Sequence, residues 1–108
     1  MGMHSLAVVL AAVLLAGLPA FADAGKDKYE KVCASCHGME GHADTKKGKK
    51  MKAADYREVA ELSGPDALEH IKKTVRENKK HKPVSKKVSD EDLASIAQYV
   101  QAMLAAQK

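Results

Sequence analysis

Cys33 and Cys36 are the only cysteines among 108 residues, and His37 follows directly. Cys33-Ala34-Ser35-Cys36-His37 has the C-x-x-C-H spacing of c-type haem attachment. Two thiols at this spacing can form thioether bonds to the two vinyl groups of a haem. His37 stands four residues after Cys33, so on a helix it shares a face with the thiols. An imidazole placed there can bind the iron as the proximal ligand. Paired cysteines also serve other chemistries. A zinc site needs further ligands at motif spacing, and there is no second cysteine pair. A thioredoxin-like redox pair needs a β-α-β surround, and no run here alternates with period two. The motif therefore points to one covalently bound haem c held by Cys33, Cys36 and His37, with His37 on the iron.

The elements that must position this motif begin after an apolar leader. Leu6 to Leu18 is rich in Ala, Val and Leu, and Pro19-Ala20-Phe21-Ala22 follows as a small-x-small cleavage site. Residues 1–22 thus read as a signal peptide cut after Ala22 or, through Ala22-Asp23-Ala24, after Ala24. The run is short for a transmembrane span. Residues 1–5 hold no Lys or Arg, which leaves an uncleaved anchor as the alternative. Export to the periplasm is the expected fate, and it suits a haem attached outside the cytoplasm.

Residues 23–108 form one small domain. A core this thin usually needs a disulfide, metal or cofactor, and the porphyrin would fill its middle. The periodicity predicts an all-α chain. Tyr29, Val32, Cys33 and Cys36 recur at helical spacing from about Lys26 into the motif. Gly38 to Met51 reads as a loop, Asp55–Leu62 as a short helix, and Ser63-Gly64-Pro65 as a break. Pro65 opens a helix to about Asn78 with Leu68, Ile71 and Val75 as its inner stripe. Lys79–Val88, with Pro83, reads as a second loop. Ser89-Asp90-Glu91-Asp92 caps a last helix. Its inner face is Leu93, Ile96, Ala97, Val100, Met103 and Leu104.

From about Gly25 to Leu104 the chain resembles the small class I (monohaem) cytochromes c. In that family a Gly and an aromatic precede the first cysteine by eight and four residues, the places of Gly25 and Tyr29. A Tyr near the end of the last helix packs against them, and Tyr99 matches it. The resemblance implies the cytochrome c fold, three to four helices wrapped around the haem. The Gly would let the first and last helices approach closely, and the aromatics would close one edge of the pocket.

The chain departs from that family at the sixth iron ligand. The usual Met before a Pro is absent, and His81-Lys82-Pro83 stands there instead. No Met lies between Met51 and Met103. Met39 follows the motif too closely to cross the haem, and Met103 belongs to the last helix's apolar stripe. His81 is the expected distal ligand, because the resemblance puts this loop over the distal face and a neutral imidazole binds iron well. Met51, a deprotonated Lys82 and an open position are the alternatives. His42 and His70 read as surface residues.

All 18 Lys and Arg lie beyond the leader. Two lysine clusters, Lys46 to Lys52 and Lys79 to Lys87, occupy the two loops. They would steer a monomeric carrier toward acidic redox proteins. Nucleic-acid binding is disfavoured by export and by the lack of a recognisable module. Membrane contact would be transient or through an uncleaved leader. The expected function is electron transfer without enzymatic turnover. The alternative is a haem protein that binds or senses a ligand at a vacant or labile sixth position.

Overall fold

The computed structural model describes residues 24–108, so the leader and its cleavage site lie outside the described residues. Among these residues there are helices and turns and no strand. Helix α1 (residues 24–32) leads into α2 (Ala34–His37) through a break at Cys33. The chain stays nearly helical across it, with Cys33 N–H donating to the Tyr29 carbonyl at 2.8 Å and His37 N–H to the Cys33 carbonyl at 3.0 Å. The haem motif is thus one helical turn appended to α1.

Helix α6 (Asp90–Ala106) is the longest element. Ser89 Oγ accepts the Asp92 N–H at 3.0 Å while Asp92 Oδ2 accepts the Ser89 N–H at 2.9 Å, the capping box expected there. Leu93, Ile96, Ala97, Val100 and Leu104 are buried as predicted, with Met103 packed at the margin. Across α6 runs α1. A Cβ on Gly25 would collide with the Ser95 carbonyl oxygen, so only glycine lets these backbones meet. Helix α4 (Ala67–Glu77) packs on the other side of α6, with Val75 buried and Leu68 and Ile71 half-buried.

Three segments differ from the sequence expectation. Lys46–Met51, read as part of a loop, forms helix α3. Thr45 caps it by accepting the Gly48 N–H at 2.8 Å, and the same hydroxyl donates to the Ser35 carbonyl at 2.7 Å. One threonine therefore starts α3 and fastens it to the haem motif, a tertiary reason that lysine-rich composition does not reveal. Asp55–Leu62 is two 3₁₀ turns, Tyr56–Glu58 and Ala60–Ser63, not one helix. In the second supposed loop a 3₁₀ turn (Lys79–His81) runs into α5 (Lys82–Ser85). Pro83 sits in the first turn of α5, where its missing N–H is no loss, so it begins a helix instead of preventing one.

Candidate haem site

A cavity of about 280 Å³ lies between α2, α4 and α6. Leu62, Ile71, Val75, Leu93, Ile96 and Val100 give it apolar walls, so much of the core faces this space instead of meeting across it. Cys33, Cys36, His37 and His81 all reach it, and so do Met51 and His70. His70, expected on the surface, is half-buried at the rim, its Nδ1 3.6 Å from Glu61 Oε2. His42 is likewise half-buried; its Nε2–H donates to Gln107 Oε1 at 2.8 Å, fastening the chain's end to the loop after the motif. Lys82 lies elsewhere, in a basic concavity on the outer side of α5 with Lys79, Lys86 and Lys87.

Cys33 and Cys36 are both free. Burial, with a smaller contribution from Cys36, pushes the Cys33 thiol up to about 12. A thiol held protonated is a poor disulfide-exchange nucleophile.

His37 is held from two sides. Its Nδ1–H donates to the Ala54 carbonyl at 2.9 Å, and since a carbonyl only accepts, Nε2 is left with its lone pair. Burial pulls its pKa below the ordinary histidine range against the opposing Ala54 bond, which favours the neutral, ligating form. Tyr56 stacks on the ring at 4.7 Å between centroids and 27° between planes. Tyr56 was not singled out from sequence; its one signal is an aromatic directly after the turn-starting Asp55. Tyr29 stands edge-on to Tyr56 at 6.3 Å and lies 5.3 Å from Tyr99, bringing together the two tyrosines expected to pair.

His81 faces His37, with ring centroids 6.1 Å apart and planes 10° from parallel. Metal–imidazole bonds of about 2 Å, plus about 1.1 Å from nitrogen to ring centre, put two imidazoles on opposite sides of one metal about 6 Å apart. The observed separation of 6.1 Å matches that spacing. His81 Nδ1 is shut off from solvent and has no hydrogen-bond partner among the described residues, an unusual state for a buried polar atom. Burial, then His37 and Lys80, lowers its pKa, so this ring too favours the neutral form. Met51 lines the same cavity at the end of α3 and is 38% exposed.

Residues 20–100 match the family described as cytochrome c oxidase, cbb3-type, subunit III. No curated protein and no solved structure matches the chain. The matched span covers the haem motif, all the cavity walls and His81. It accords with the earlier resemblance to small monohaem cytochromes c and with the all-α fold. The chain belongs to this family of c-type cytochrome domains and is a haem-binding electron-transfer cytochrome.

Proposed function

We propose that this protein is an exported, soluble carrier of single electrons on one haem c. Cys33 and Cys36 would hold the haem through thioethers, and His37 and His81 would ligate its iron. The reading is carried by the parallel imidazoles 6.1 Å apart across an apolar cavity. When bound, the haem supplies the Fe(III)/Fe(II) couple. The chain's residues keep that site rigid and dry. Ala54 and Tyr56 orient His37, while Leu93, Ile96 and Val100 exclude water from the ring faces. His37 and His81, carried on separately fastened segments, would hold such a cofactor with little rearrangement of the chain.

The visible spectrum of the holoprotein tests this assignment. Wild type is expected to be low-spin without a Met–iron charge-transfer band, and His81→Ala to lose the low-spin spectrum. A Met band in the wild type, or an unchanged spectrum in His81→Ala, overturns it, the first in favour of Met51. Export rests on the leader at residues 1–22. Mature protein from the periplasm should begin at Asp23 or Gly25 by mass, and a retained leader would argue for an anchored form.

A further inference from the structure

His81 sits between two fastenings. On its N-terminal side Asn78 Oδ1 accepts the Lys80 N–H at 2.8 Å, and Lys80 Nζ donates to the Met51 carbonyl at 3.0 Å. On its C-terminal side a single guanidinium does the holding. Arg76, in the last turn of α4, donates from Nη1 to the Ser85 carbonyl at 2.7 Å and to Ser85 Oγ at 3.0 Å. From Nη2 it donates to the Val88 carbonyl at 3.0 Å and to Asp90 Oδ1 at 3.1 Å. These partners lie at the end of α5, in the link that follows, and at the start of α6. Val84, one residue before the clamp, lines the cavity beside His81, and Val88 is buried in the core.

A ligating imidazole is ordinarily aimed by a hydrogen bond on its second nitrogen, as Ala54 aims His37. His81 has no such bond on Nδ1 among the described residues. Its direction then depends on the backbone that carries it, which Asn78 and Lys80 tie down on one side and Arg76 on the other. The planar fork suits the task, since its separate N–H groups reach four acceptors along two directions. A lysine, with one point charge, could not.

We infer that Arg76 is the positioning residue of the distal ligand, pinning residues 85–90 so that His81 stays directed into the cavity. This rests on His81 being the distal ligand. The rate of carbon monoxide binding to the reduced holoprotein reports how readily His81 lets go. Arg76→Ala should raise that rate about 10-fold or more, the scale of losses when a ligand's supporting contacts are removed. Arg76→Lys keeps the charge without the fork, should fold even if the alanine variant does not, and should behave similarly. Gln101→Ala removes a 2.9 Å bond to the Gly64 carbonyl and serves as a control for general destabilisation. In a His81→Ala background Arg76→Ala should leave the rate unchanged, because the ligand it steadies is gone. Acceleration no greater than in a Gln101→Ala control of equal Tm loss overturns the inference. So does equal acceleration with and without His81. If His81→Ala keeps the wild-type spectrum, the distal assignment itself fails, and the spectrum shows this before any rate is measured.

Discussion

His37 and His81 stand opposite each other but are held in unlike ways. The His37 ring has a hydrogen bond on one nitrogen and a tyrosine on its face, whereas Nδ1 of the His81 ring has no partner among the described residues. The C-x-x-C-H spacing was fully legible in the chain, since five consecutive residues carry it. Tyr56 and Arg76 were not, because their roles depend on partners brought close only by folding. Tyr29 could be anticipated as a pocket aromatic, yet its hydroxyl does something spacing cannot reveal. It donates to the Gly38 carbonyl at 2.7 Å, tying α1, through a fully buried ring, to the residue just after the motif. Tyr29→Phe removes the donor while Gly38 keeps a longer bond from Gly41 N–H at 3.3 Å. We expect a loss of about 1 kcal/mol in denaturant unfolding, the low end for a buried bond. No change in the midpoint would mean that this bond contributes nothing net.

Among the elements, α1 and α6 were readable because each repeats its apolar residues over several turns. Helices α3 and α5 were not, because four to six residues give periodicity too little length. Helix α3 exists through its contact with the haem motif. A Cβ on Gly48 would collide with the Cys36 carbonyl oxygen, so the two backbones touch at this residue. Alanine is the better helix former by about 1 kcal/mol, yet overpacking here costs about 1–3 kcal/mol. Gly48→Ala is therefore expected to destabilise the protein and lower the yield of holoprotein, read as the urea midpoint and haem absorbance per protein. A rise in the midpoint would show that propensity wins and that α3 is only loosely seated.

For the whole molecule, net charge is +4, and the basic concavity of Lys79, Lys82, Lys86 and Lys87 lies on the back of the segment that carries His81. We propose that an acidic redox protein approaches this side. Its association rate should fall at least 10-fold between about 0.01 and 0.15 M salt, as the screening length shrinks from about 30 to 8 Å. A flat salt dependence in stopped-flow electron transfer would exclude steering by these lysines. The clusters were visible in the sequence, but not their separation. Met51 and Lys52 end α3 at the cavity, whereas Lys82, Lys86 and Lys87 turn outward from α5.

The bare nitrogen of His81 has one more consequence. His81 lies 44 residues beyond His37, on a separately fastened segment. On the proposed ligation, a haem tethered at Cys33 and Cys36 would meet the His81 imidazole as part of the same chain, at a local concentration fixed by the intervening polypeptide instead of by solution. Such tethering yields about millimolar or higher effective concentrations for short links. A ring that left the iron would then return before a ligand from solution replaced it, while the cofactor stayed in place. Permanence would fall to the thioethers, and the segment carrying His81 would need only to close again.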